Sequence, residues 1–113
     1  MILLDGRTIR IIQANYGAIA FDFYSPDNLP FDLSPYTVTF MVKQSKTDSD
    51  SDAVITKTFE ENTGNTIEIE LSAEDTNIPV NFYWWSICLT GKENLYKNEA
   101  LSGRFYIIEG VQD

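Results

Sequence analysis

Histidine is missing from this chain altogether. Without an imidazole there is no Ser-His-Asp or Cys-His nucleophilic arrangement, and the commonest zinc ligand is gone. Cysteine occurs once, as Cys88, so no internal disulfide can form and packing alone must hold the fold. That lone thiol reads as a small buried or half-buried hydrophobe. Basic charge is scarce: eight Lys and Arg stand against seventeen Asp and Glu, a net charge of -9. Binding to nucleic acid rests largely on cations neutralising phosphates, so this balance argues against it. No apolar run approaches the roughly 18 residues of a membrane-spanning helix. The first residues, 1–6, carry no basic region and are too short for a signal peptide. The expectation is a chain made in the cytoplasm that stays there unless assembled into something larger. No membrane, cofactor or metal is expected to partner it, and no catalytic residues.

What the sequence does have is a strand period. In residues 81–90 (NFYWWSICLT), Tyr83, Trp85, Ile87 and Leu89 share one face, while Phe82, Trp84, Ser86, Cys88 and Thr90 share the other. Aromatic and β-branched content this dense favours a strand. Both tryptophans lie here, and Trp85, on the more apolar face, is the expected core anchor. The same alternation recurs along the chain. Strands are expected over residues 8–14, 18–24, 36–44, 53–60, 66–71 and 101–109, with the second pairing either the first or another close neighbour. Asn15, Tyr16 and Gly17 supply a turn. Three prolines, Pro26, Pro30 and Pro35, mark a loop in which Phe31 and Leu33 plug the edge of the core. Ser72 and Asp75 have the spacing of a capped helical turn. Seven or eight short strands in 113 residues, with no long helix, repeat or boundary, predict one domain over residues 1–113: an all-β, Ig-like antiparallel β-sandwich.

Three features invite a chemical reading. Asp48, Asp50 and Asp52 alternate as in the opening of a calcium loop, but Ala53 stands where the sharp turn needs Gly and Phe59 where a bidentate Glu is needed. The bland reading is a mobile, solvated acidic loop. Glu68 and Glu70 share a strand face, as a carboxylate pair for glycoside hydrolysis would. Seventeen acids make such pairs unavoidable, and a wet sheet surface explains them. Trp84 admits three readings: a sugar-stacking platform, a contact with another subunit, or burial under the acidic loop.

The outward residues expected on the three central strands are Thr37, Thr39 and Met41; Phe82, Trp84, Ser86 and Cys88; and Arg104, Tyr106 and Ile108. Only Arg104 among them is charged. A solvated face should be polar, so a protein interface centred on Met41, Phe82, Trp84, Tyr106 and Ile108 is the expectation.

Five pieces in order carry a resemblance. They are Phe31-Asp32-Leu33-Ser34 followed by Tyr36-Thr37-Val38; Ser51-Asp52-Ala53-Val54-Ile55-Thr56-Lys57; Leu71-Ser72-Ala73-Glu74-Asp75-Thr76; Tyr83 to Thr90; and Ser102-Gly103-Arg104-Phe105-Tyr106-Ile107. Together they resemble the Ig-like N-terminal domain of phage baseplate upper proteins and the small stand-alone phage tail proteins that share it. The family pattern Pro-x-Gly-x-Tyr has Asn81 in place of its glycine here, and Asn is the residue that best replaces Gly at positive φ. The chain stops at Asp113 without a fibre or receptor-binding segment, which points away from the host-binding role of longer relatives. The resemblance implies a non-enzymatic structural protein of a phage or prophage tail or baseplate, synthesised in the bacterial cytoplasm and located in the virion. Its partners would be itself, as a homo-oligomer, and other phage structural proteins. A carbohydrate-binding β-sandwich module using exposed aromatics is the alternative.

Overall fold

A computed structural model of the chain describes residues 2–5 and 7–110. Eight strands are present among them: β1 (Ile2–Asp5), β2 (Thr8–Ile12), β3 (Gly17–Asp22), β4 (Tyr36–Lys43), β5 (Ile55–Phe59), β6 (Thr66–Leu71), β7 (Asn81–Gly91) and β8 (Lys97–Ile108). They form a six-stranded sheet in the order β1-β2-β8-β7-β4-β5 and a two-stranded sheet, β3-β6. The only helical element among the described residues is a short 3-10 turn at Asp50–Asp52. The fold is all-β, with β7 between β4 and β8 as the sequence predicts.

Alternation decides which side chains meet. Tyr83, Trp85, Ile87 and Leu89 of β7 are buried, as are Val38, Phe40 and Val42 of β4 and Phe105 and Ile107 of β8. The small sheet answers with Phe21, Ile67, Ile69 and Leu71, and the Phe21 and Trp85 rings meet across the gap at 5.2 Å. One core therefore lies between the two sheets. Trp85 is its largest buried side chain, 1% exposed. A ring of that size hides on the order of 200 Å², which at about 25 cal/mol per Å² is about 5 kcal/mol before entropic costs. Its indole N–H, which burial would otherwise strand, donates to the Arg7 carbonyl at 2.9 Å. Gly103 lies directly across from Trp85 in the ladder, and a Cβ there would overlap both the Arg7 carbonyl and the indole nitrogen. The glycine is what lets the indole reach its acceptor.

Several expectations are corrected. The sandwich is not antiparallel throughout: β2 runs parallel to β8, with Ile9, Arg10, Ile11 and Ile12 opposite Phe105, Tyr106, Ile107 and Ile108. The strand of residues 17–22 pairs with β6, not with β2. Both pairings join segments far apart in sequence, which local periodicity does not reveal. Strand β1, antiparallel to β2, is additional to the strands that the sequence predicts. β8 begins at Lys97 rather than residue 101: past a bulge between Ile87 and Cys88 the ladder continues, with Cys88, Leu89 and Thr90 opposite Glu99, Asn98 and Lys97. The first turn places Ala14, not Asn15 or Gly17, at positive φ (59°), and the Ala14 N–H donates to the Thr76 carbonyl at 3.1 Å. Asn81 is not at positive φ; its Oδ1 accepts from the Phe82 N–H at 2.8 Å.

The expected cap at residues 72–76 has the right bonds without a helix. The Ser72 N–H donates to Asp75 Oδ2 at 2.8 Å and the Asp75 N–H to Ser72 Oγ at 3.1 Å. Lys57 Nζ lies 2.7 Å from the same Asp75 oxygen, tying the turn to β5. Buried Thr76 then donates its hydroxyl to the Asn15 carbonyl at 2.7 Å, locking this turn to the one after β2.

Candidate interaction face

Strand alternation that buries Trp85 must turn Trp84 outward. The outer face of the large sheet is built in rows by the ladder register. One row runs Arg10, Tyr106, Phe82 across β2, β8 and β7; the next runs Arg104, Trp84, Lys43 across β8, β7 and β4. Phe82 and Tyr106 rings lie 6.4 Å apart, and Phe82 is 55% exposed. Trp84, Tyr106, Ile108 and Met41 are half-buried.

This face is not short of charge, which corrects the sequence expectation. The guanidinium carbon of Arg10 sits 5.3 Å from the Tyr106 ring centre and that of Arg104 5.3 Å from the Trp84 ring centre. Lys46 Nζ lies closer still to Trp84, at 4.1 Å. Cations over ring faces are attracted by the aromatic quadrupole, by about 0.5–1 kcal/mol where exposed. Arg10 is legible in hindsight, since Ile9 and Ile11 face inward and force it out. What hid its role was the parallel pairing that sets it beside Tyr106. Lys46 lies in a loop where no periodicity speaks.

The acidic loop of residues 45–52 is the second surprise. It is solvated, as expected, but tied down as a strap: Asp50 holds it over the lower half of this face, and its Lys46 reaches Trp84. Asp50 accepts from Lys43 at 2.7 Å and from Lys97 at 2.6 Å, bridging β4 to the start of β8. Those two hydrogen bonds hold its carboxyl down at about 2, against an ordinary 3.8. The same bond to Asp50 raises the Lys97 ammonium above its usual value. Asp48 accepts from the Ser45 N–H at 3.1 Å and Asp52 from the Ser49 hydroxyl at 3.0 Å. The three aspartates of the calcium-like motif are thus turned to three different sets of partners. No group of three or more metal-ligating side chains gathers among the described residues.

Beneath the strap is a cavity of about 200 Å³ bounded by Thr39, Met41, Asp50, Cys88, Thr90 and Lys97. Met41 therefore belongs to the strapped half, apart from the other four residues of the expected interface. Burial pushes the Cys88 thiol above its ordinary pKa, which disfavours the reactive thiolate. Beside Trp84 the surface opens into a cleft of about 290 Å³ lined by Lys43, Lys46, Trp84, Trp85, Ser86, Glu99 and Ser102.

The expected carboxylate pair lies on the other side of the molecule. Glu68 and Glu70 are exposed on β6, opposite Ala20 and Ala18 of β3. Tyr16 hydrogen-bonds Glu70, and its phenol pKa is raised by burial and then by that neighbouring carboxylate. None of these side chains lines a cleft with the residues around Trp84. Comparison of the chain with known protein families, with curated proteins and with solved structures finds no match.

Proposed function

We propose that this protein is a structural component of a phage or prophage tail or baseplate, working by self-association and by docking to other virion proteins. The observation that carries the reading is the upper half of the outer face, which the strap reaches through Lys46. Phe82, Trp84, Tyr106 and Ile108 stand there together on a rigid sheet, fringed by Arg10, Lys46 and Arg104. Aromatic residues with Arg at the rim are the composition enriched in protein interfaces. The finer reading of the fold as Ig-like is part of this proposal. Strands β4, β7 and β8 stand in the order of the three-stranded half of such a sandwich, and β3 with β6 supply the opposing pair. The buried tryptophan on β7 rather than β4, and the lack of a disulfide, depart from antibody domains. The ordered pieces that resemble the phage family supply the biological setting.

A sugar platform fits the same ring less well. Stacking needs a bare indole face, and Lys46 and Arg104 both sit over Trp84. Two observations separate the readings. Tail, tape-measure or baseplate genes beside the gene, with no binding on a glycan array, are expected. A glycoside hydrolase neighbour together with glycan binding lost in Trp84→Ala would overturn the structural role.

A further inference from the structure

The two outer faces of this molecule differ in charge: the β3–β6 face is acidic, whereas the large-sheet face is mainly basic, with Asp50 and, at the cleft beside Trp84, Glu99 as its carboxylates. Five of the eight Lys and Arg in the chain, Arg10, Lys43, Lys46, Lys97 and Arg104, lie on or over the outer face of the large sheet. Asp50 neutralises two of them, Lys43 and Lys97. No carboxylate among the described side chains lies within ion-pair distance of the other three, which surround Trp84 and Tyr106. On the opposite side, β3 and β6 turn outward Ala18, Ala20, Asp22, Thr66, Glu68 and Glu70: three carboxylates and no cation.

We propose that copies of this chain associate head to tail, the cationic aromatic face of one seated on the acidic β3–β6 face of the next. The inference rests on the self-association in the proposed function and specifies its symmetry. A two-fold contact of the aromatic face with itself would set Arg10, Lys46 and Arg104 against their own kind, and like charges facing each other across an interface are strongly disfavoured. The heterologous contact sets them against carboxylates. Spacing agrees with this. Arg10 lies opposite Tyr106, two residues along from Arg104, so the two side chains rise from diagonal neighbours on adjacent strands. Glu68 and Glu70, two residues apart on one strand, are separated by roughly 6.6 Å.

Relief agrees as well. Ala18 and Ala20 lie across from Glu70 and Glu68, leaving a low shelf beside the carboxylates for the exposed Phe82 ring of the next copy. The two faces lie on opposite sides of one sandwich, so successive copies stack along one axis. Such a contact gives a ring if its rotation closes and a filament if it does not.

The test is sedimentation velocity over a concentration series with four samples of the full chain. These are wild type, Lys46→Glu/Arg104→Glu, Glu68→Lys/Glu70→Lys, and a 1:1 mixture of the two variants. All four changed side chains are on the surface, and matching circular dichroism checks the folds, with Glu68→Gln/Glu70→Gln as the milder acid-face variant. Wild type is expected to associate, more weakly as salt rises. Each charge-reversed variant alone is expected to associate at least roughly tenfold more weakly. The mixture is expected to regain association, because one native face survives on each variant. If Glu68→Lys/Glu70→Lys associates like wild type, or the mixture stays monomeric, the head-to-tail contact is wrong while self-association stands. If wild type itself is monomeric throughout, self-association and the contact fall together.

Discussion

Trp84 and Trp85 sit side by side on β7 and are held by different physics. Trp85 is enclosed by Phe21 from the opposing sheet and Phe40 from the adjacent strand, with its one polar atom satisfied by the Arg7 carbonyl. Trp84, one residue earlier, is propped by the cations of Lys46 and Arg104 and remains half open. The pair teaches that an aromatic residue is not a core residue by type. Strand phase assigns one ring to the fold and frees the other for contact. The cations then keep the free ring in place without burying it.

Substitutions can break or sharpen that contrast. The largest effect is expected for Trp85→Ala, which should cost about 3–5 kcal/mol of folding stability and can leave the chain unfolded. Chemical denaturation measures it. Gly103→Ala comes next. The added methyl must displace the Arg7 carbonyl or the indole of Trp85, so a loss of about 1–3 kcal/mol is expected by the same measurement. A tolerated alanine with unchanged stability would show that the indole–Arg7 bond does not depend on this glycine.

The strap gives a smaller effect with a distinctive pH signature. Asp50 is about half exposed, so its two ion pairs with Lys43 and Lys97 are screened, and Asp50→Asn should cost about 1 kcal/mol or less. Its carboxyl titrates at about 2 in the fold against an ordinary 3.8. A depressed carboxylate stabilises above its unfolded pKa, so the contribution is complete at neutral pH and fades as pH falls from 3.8 through about 2. Thermal melts of wild type and Asp50→Asn should therefore converge across that window and stay parallel above it.

A similarly small stability effect is expected for Trp84→Ala. Removing two partly exposed cation–π contacts should cost about 1 kcal/mol, with a melting curve close to wild type. Equal losses for Trp84→Ala and Trp85→Ala would erase the contrast between the rings.

Strand alternation made the inner face readable residue by residue: Tyr83, Trp85, Ile87, Leu89, Val38, Phe40, Val42, Phe105 and Ile107 are all buried. The outer aromatic set, Phe82, Trp84, Tyr106 and Ile108, follows from the same period. What periodicity does not carry is pairing between distant segments. The parallel β2–β8 ladder that delivers Arg10 to Tyr106 joins the two ends of the chain. The Asp50 strap depends on Lys43 and Lys97, the latter 47 positions away, meeting over one sheet. A low-complexity acidic stretch looks loose in sequence because its partners lie elsewhere. By period alone Met41 belongs with the open face, and only the folded strap separates it from Trp84.

The central claim, that the Trp84 side is built for protein contact, is tested most directly by measuring molar mass by light scattering for wild type and Trp84→Glu at matched high concentration, with melting curves recorded on the same samples. The face as described predicts a wild-type mass above that of one chain, falling to the monomer in Trp84→Glu while the melting temperature changes little. A monomeric wild type, or a variant whose mass matches it, would contradict the claim.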